Sequence, residues 1–152
     1  MRTRKGKGMA DTPNAVSQPE PLVYACSGAS NLGQLTNEIA IRLDREGLAE
    51  MSCAEAVGIE TGAPYAAATS GRPVVAVSGC LLACASRLLV EHGVTVTSAI
   101  QLENRCVLKA KHVSVNAADA ARIYDEVVAE LGPVIERLTK KGDHYETVPA
   151  NH

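Results

Sequence analysis

The sequence predicts a single α/β domain of three layers, in which helices cover both faces of a mainly parallel sheet of about four strands. Short apolar, β-branched runs alternate along the chain with segments of helical periodicity, which is typical of such a sheet. The 152 residues suit one domain, and an apolar content of 46% is enough for a core. Because Phe and Trp are absent, that core must consist mainly of Val, Leu, Ile and Ala. The expected arrangement is Rossmann-like.

Two strands, each with a helix to follow, are expected in the first two thirds of the chain. Residues 21–25 ("PLVYA") and residues 74–77 ("VVAV") are continuous apolar runs, as in strands that are covered on both faces. Residues 34–47 and residues 80–92 carry apolar side chains at helical spacing, and a glycine ends each segment. The pattern therefore predicts two βα units.

The segment between these units contains a signal for a short helix. Ser52 is followed three residues later by Glu55, a capping box that would place Cys53 at the first helical position. Residues 58–73 are rich in glycine and proline and are predicted to form a loop with room for one helical turn at residues 65–68.

The last third of the chain predicts two more strands and a helix. Residues 94–100 ("VTVTSAI") and residues 111–115 ("KHVSV") have the β-branched content of strands. Asn116 is the expected N-cap of the helix, with Asp119 in its first turn. We expect Pro133 to break or kink it.

Composition divides the chain into three parts: a disordered basic leader at residues 1–20, the α/β domain at residues 21–141 and a flexible tail at residues 142–152. No apolar run is long enough for a secretory signal or a membrane span, so we expect a cytoplasmic protein without a membrane partner. Aromatic residues are only 3% of the chain and the net charge is −2, which argues against nucleic-acid binding.

Five cysteines carry the strongest functional signal: Cys26, Cys53, Cys80, Cys84 and Cys106. An odd number without an export signal speaks against a disulfide framework and favours metal or thiol chemistry. Cys106 has no partner at a meaningful spacing, so we expect an ordinary buried residue or a spare thiol there.

Four of these thiols are expected to meet. Cys26 directly follows the first strand and Cys80 closely follows the second, so both should lie at the carboxyl edge of the sheet, where sites form in open α/β folds. Cys84 is one turn beyond Cys80 on the predicted helix, and Cys53 opens its own short helix. Helix N-termini favour thiolates over thiols. Four thiolates are the ligands of a structural zinc site or, alternatively, of an iron–sulfur cluster.

Other functions remain open for the same residues. If only three cysteines bind, the open position could take water, a thiol ligand or a substrate. Alternatively, the protein is a thiol redox or sulfur-transfer enzyme, with Cys26 or Cys80 as the nucleophile and a second cysteine to resolve it. A protein partner or a small thiol ligand is compatible with either function, and the sequence does not indicate an oligomeric state.

The small-residue loop after the first strand ("CSGASNLG") also suggests anion binding. Its hydroxyls and backbone N–H groups could face a phosphate, or could support metal ligands from behind. Leu32 occupies the position where a low-molecular-weight phosphatase needs arginine, which excludes that class. A phosphocysteine carrier needs no arginine and remains a third alternative. The residues expected in these anion-binding or supporting roles are Ser27, Gly28, Ser30, Ser78 and Gly79.

Two stretches together resemble a known family. "VYACSGASNLGQLTNEIAIRLDREGLAEMSCAEAVG" and "GRPVVAVSGCLLACASRLLVEHG" are similar to the DGC domain family, whose members are described as zinc-binding. The resemblance covers about residues 22–115 and implies Cys26, Cys53, Cys80 and Cys84 as the ligands. The chain departs from the family pattern at Ser78, where the family has aspartate, and at Leu81, where it often has proline.

Overall fold

A computed structural model describes residues 20–140 and contains one parallel four-stranded sheet. The sheet has the order β2-β1-β3-β4, and every neighbouring pair of strands is parallel. The strands are β1 (Leu22–Ala25), β2 (Glu50–Met51), β3 (Val74–Ser78) and β4 (Ser98–Gln101). The helices are α1 (Asn31–Arg45), α2 (Ala54–Gly58), α3 (Gly62–Ala68), α4 (Cys84–Glu91) and α5 (Ala117–Lys140). The expected α/β class is confirmed.

The core lies on both faces of the sheet because the central strands alternate their side chains between two apolar clusters. Val23 and Val75 pack on one face with residues of α1 and α5. Leu22, Tyr24 and Val74 pack on the other face with residues of α2, α3 and α4. This is the predicted three-layer arrangement, and it explains why the two central strands are apolar without alternation.

Two expectations concern the ends of the chain and its ability to cross a membrane. The predicted tail at residues 142–152, and all but the last residue of the predicted leader at residues 1–20, lie outside the described residues. Between residues 20 and 140, each helix is too short or too polar to cross a bilayer.

Three expected strand or loop assignments are corrected. Residues 111–115 form no strand, because His112 has a left-handed backbone (φ 62°) that an extended strand does not allow. The expected strand at residues 94–100 begins only at Ser98, where pairing with β3 starts. The two-residue strand β2 was missed, and the helical turn expected at residues 65–68 belongs to a longer helix, α3, which occupies much of the predicted loop.

The expected helix boundaries also shift. Helix α4 begins at Cys84 rather than Cys80, because Ala83 has a left-handed backbone (φ 49°) that a helix does not continue. The N–H of Ala83 donates to the carbonyl of Cys80 and closes a separate turn before the helix. Cys53 is the N-cap of α2 rather than its first helical residue, and its extended backbone displaces the predicted capping box. Pro133 does not break α5, since packing against the core on both sides of the proline keeps the helix continuous to Lys140.

Candidate functional site

The carboxyl ends of the adjacent strands β1 and β3 bring the loops that carry Cys26 and Cys80 into contact. Cys26 follows β1, and its backbone N–H donates to the carbonyl of Val77 at 3.1 Å. The backbone N–H of Gly79 in turn donates to Sγ of Cys26 at 3.4 Å. Because Gly79 directly precedes Cys80, the first loop of the chain contacts the segment that carries the second thiol.

Glycines allow this close approach of backbones. A Cβ on Gly79 would lie 2.8 Å from the backbone nitrogen of Gly33 and 2.8 Å from the carbonyl carbon of Leu32. A Cβ on Gly33 would lie 2.6 Å from the carbonyl oxygen of Gly28. No real side chain tolerates such distances, so the start of α1 packs directly on both loops. The absence of side chains at Gly33 and Gly79 thus permits the close packing of these backbones.

The partly buried thiol of Cys26 has a second polar neighbour that the sequence did not reveal. Its Sγ lies 3.6 Å from Oγ1 of Thr36, a fully buried residue of α1. The Thr36 hydroxyl donates to the carbonyl of Gly33 at 2.7 Å and also receives the N–H of Ser27 at 3.3 Å. Thr36 therefore connects the loop of Cys26 to the first turn of α1.

A lysine contacts the second thiol. Nζ of Lys109 donates to Sγ of Cys80 at 3.2 Å. This hydrogen bond, followed by the negative charge of the same thiol, raises the pKa of the Lys109 ammonium above its usual value, and Glu103 and Cys84 add to the effect. Sequence reasoning missed Lys109 because it lies in residues 102–116, a connection without helix or strand, where no periodicity marks functional residues.

Asn31 holds the backbone on both sides of Lys109. Its Nδ2 donates to the carbonyl of Leu108 at 3.0 Å, and its Oδ1 accepts the N–H of Ala110 at 2.8 Å. Its own N–H donates to the carbonyl of Ala110 at 2.9 Å. Asn31 is itself buried, and these partly buried bonds hold the backbone that carries Lys109. The sequence offered no signal for this role.

The other two predicted ligands have exposed side chains and different neighbours. Sγ of Cys53 donates to the carboxylate of Glu55 at 3.2 Å. Together with Ser27, Cys53 lines a cavity of about 540 Å³ beside α2 and α3. Cys84 is the first residue of α4, whereas Cys80 lies four residues earlier, before the helix begins. Cys106 is exposed, so it is not the buried residue that was one of the two expectations for it, and it lines a different cavity, of about 520 Å³, beside β4 and α5.

Thiolates are ligands that zinc prefers, so the chemistry of the four cysteines fits this metal. In the described part of the chain, no three His, Cys, Asp or Glu side chains form a group that could hold a metal ion. The sulfur of Cys26 contacts the amide of Gly79, the residue before Cys80, whereas the Cys53 thiol contacts Glu55. Binding of one metal ion by the four cysteines stays a prediction.

The donors of the small-residue loop are already engaged. Oγ of Ser30 caps α1 by accepting the N–H of Gly33 at 3.1 Å, and Oδ1 of Asn31 accepts the N–H of Leu32 at 2.8 Å. Oγ of Ser27 donates to Oδ1 of Asn37 at 3.1 Å. An anion at this loop would have to displace these bonds, and its binding stays a prediction.

Ser78 is the last residue of β3 and is almost completely buried. Its hydroxyl has no hydrogen-bond partner among the described residues. The anion-binding or supporting role expected of Ser78 stays a prediction, and no polar contact of its hydroxyl in the described part of the chain accompanies it.

Fold and site together define a parallel α/β protein with thiols, an ammonium and backbone N–H groups gathered at the carboxyl edge of its sheet. The DGC domain matches residues 22–127, and the chain belongs to the DGC domain family. It is 44% identical over 115 residues to the anaerobic and virulence modulator AnvM of Pseudomonas aeruginosa, covering 76% of this chain and 88% of that protein. No solved structure matches the chain.

Proposed function

We propose that this protein binds a soft metal ion, zinc in the first instance, through cysteine thiolates at the carboxyl edge of the sheet. The observation that supports this proposal most directly is the 3.2 Å contact between Nζ of Lys109 and Sγ of Cys80. An ammonium at this distance stabilises the negative sulfur, which is the form of cysteine that binds zinc. Cys80 is therefore the central ligand of the proposal, and Cys26, Cys53 and Cys84 are the further candidates.

The surroundings of Cys26 support this proposal. Its sulfur accepts the Gly79 N–H and lies beside the Thr36 hydroxyl. Hydrogen bonds of this kind orient metal ligands and tune their charge, and they are a recurring feature of metal sites. An iron–sulfur cluster is the alternative cofactor for the same thiolates.

The name of the relative suggests the setting of this chemistry. AnvM is named a modulator of anaerobic and virulence behaviour. We propose a regulatory role for the present chain as well, in which the property that is regulated is whether its thiols hold a metal ion.

Metal analysis of the purified protein tests the proposal. The full chain, prepared anaerobically under reducing conditions without added metal, should contain zinc, and Cys80→Ser should lose it. Cys106→Ser is the matched control and should retain the metal, because Cys106 lines another cavity. Iron with visible absorption would identify a cluster instead. A wild-type protein that is free of metal and takes up neither zinc nor iron would refute metal binding.

A thiol enzyme, acting in redox or sulfur transfer, is the second candidate, and the same Lys109 contact favours it. A thiolate stabilised by an ammonium is a nucleophile as well as a ligand. In that case metal-free protein should contain one cysteine, Cys80 or Cys26, that iodoacetamide modifies much faster than the others. Uniform, slow modification of all five cysteines would exclude this function.

A further inference from the structure

We propose that two copies of this chain complete the metal site, with Cys80 and Cys84 of each copy supplying four thiolates to one zinc ion on a two-fold axis. The inference rests on the proposed metal-binding function and names the partner that this function requires. It follows from the number of ligands, the exposed apolar residues around them and the charges of the same surface.

The ligand count is the first step. A closed zinc site takes four ligands, yet residues 20–140 of one chain contain no group of three. Cys80 and Cys84 flank a single turn, closed by the bond from the Ala83 N–H to the Cys80 carbonyl at 3.0 Å. The Cys84 side chain is exposed and that of Cys80 is partly exposed. A two-fold axis beside this turn doubles two available thiols to four, since both partners of such an interface use the same surface.

The remaining cysteines are less suited to that position. Sγ of Cys26 points to the Gly79 amide and to Thr36. Cys53 contacts Glu55 and lines the cavity beside α2 and α3. Neither needs to leave its contacts if the second copy supplies the missing ligands.

Exposed leucines accompany the two thiols in the sequence. Leu81 and Leu82 lie between Cys80 and Cys84 and are 64% and 59% exposed. Leu108 is 88% exposed and precedes Lys109, whose ammonium contacts Cys80. One exposed leucine is ordinary, but two adjacent ones between the thiols and a third beside the lysine favour a surface that another molecule covers.

The surface beside Cys80 carries charges of both signs. Oε2 of Glu103 accepts the N–H of Leu81 at 2.8 Å, so a negative group borders the same turn that the Lys109 ammonium contacts. On a two-fold interface, a surface with one positive and one negative group can place opposite charges across the axis. Zinc with four thiolates keeps two excess negative charges, and the Lys109 side chains of the two copies would neutralise them.

Zinc stoichiometry and molecular mass, measured on the full chain, test the proposal. Protein freed of metal by a chelator under reducing conditions should be monomeric. Added Zn²⁺ should produce a dimer with one zinc per two chains, and removal of the ion should reverse it. Cys80→Ser and Cys84→Ser should each abolish both zinc binding and dimerisation, whereas Cys26→Ser and Cys53→Ser should retain both.

The leucines provide a test that leaves every thiol in place. Leu82→Gln should weaken zinc-dependent dimerisation about tenfold in sedimentation experiments, because it removes an apolar contact from the interface. Val90→Gln is the matched control: Val90 is also exposed, at 61%, but lies towards the other end of α4. It should leave the dimer unchanged. Circular dichroism would verify that each variant is folded.

Two results would overturn the shared site, and they differ from failure of metal binding itself. One zinc per monomer, lost in Cys26→Ser or Cys53→Ser, would place the site within one chain and leave the proposed function intact. A dimer that forms equally well without zinc would also refute the inference. Absence of any metal uptake by the wild-type chain would instead remove the proposed function.

Discussion

Nζ of Lys109 lies 3.2 Å from Sγ of Cys80, although 29 residues separate the two in the sequence. The contact forms because the connection between β4 and α5 folds back over the carboxyl edge of the sheet, where Asn31 holds its backbone. A cation is thereby fixed beside a thiol whose negative form is both a metal ligand and a nucleophile.

Removing this cation should lower the reactivity of Cys80. In metal-free protein, Lys109→Gln should slow alkylation of Cys80 at neutral pH roughly three- to tenfold, because the negative sulfur loses a charged hydrogen-bond donor. Peptide-resolved mass spectrometry after timed exposure to iodoacetamide measures the rate at Cys80 alone. Lys111→Gln removes the same charge two residues away and should leave the rate nearly unchanged. Equal effects of both variants would show that the specific contact is unimportant.

Asn31 should stabilise the fold as well as the site. Asn31→Ala removes the side-chain bonds to Leu32, Leu108 and Ala110 at a buried position, and we expect a loss of about 2–3 kcal/mol in the free energy of unfolding. Asn31→Asp keeps the accepting oxygen but places a carboxylate oxygen against the Leu108 carbonyl at a buried position, so this variant should also be less stable than the wild type. Urea denaturation supplies these values. An alanine variant as stable as the wild type would contradict the role assigned to Asn31.

The close packing at the carboxyl edge of the sheet makes different predictions for two glycines. Gly79→Ala should destabilise the protein by about 3 kcal/mol, because the new Cβ would meet backbone atoms of Gly33 and Leu32. Gly28→Ala should cost much less, since apart from its chain neighbours its Cβ would meet only Sγ of Cys26, at 3.9 Å. Thermal unfolding of the two variants provides the comparison. Equal destabilisation of the two variants would refute the packing argument.

The pair of Tyr124 and Glu46 should give the stability a defined pH dependence. The Tyr124 hydroxyl donates to the Glu46 carboxylate at 2.7 Å. Burial and then this hydrogen bond raise the pKa of Tyr124 to about 12, and the same bond, followed by that from Arg42, lowers the pKa of Glu46. Because the folded form holds the tyrosine proton more tightly than the unfolded form, this contribution to stability is complete below pH 10 and disappears as pH rises towards 12. The contribution of Glu46 is present above its ordinary pKa and disappears in acid.

Comparison of Tyr124→Phe with the wild type isolates this effect. The wild type should be more stable by about 1 kcal/mol near neutral pH, with a difference that shrinks both above pH 10 and in acid. Denaturation curves across the pH range supply the difference. Tyr65→Phe controls for the general loss of a tyrosine hydroxyl. A difference that grows above pH 10 would show that the sign is wrong.

The local sequence pattern was sufficient to predict the elements that contribute most to the core. The apolar runs that became β1 and β3, and the periodicity of α1, record burial residue by residue, so the α/β class could be predicted. Strand β2 has only two residues and depends on the pairing of Glu50 and Met51 with β1, which leaves no pattern in the sequence. The run at residues 111–115 has the composition of a strand but lacks a neighbouring strand in the described structure.

By itself, then, the amino-acid sequence determined the fold class and the placement of Cys26 and Cys80 at the same edge, because strand burial and strand direction follow from local composition. Tertiary structure alone decided which groups those sulfur atoms touch. The left-handed backbone of Ala83 delays α4 until Cys84, and the contacts of Lys109 and Asn31 join segments that are distant along the chain. Such contacts arise from turns and close packing of backbones, whose energies depend on the neighbours that folding supplies.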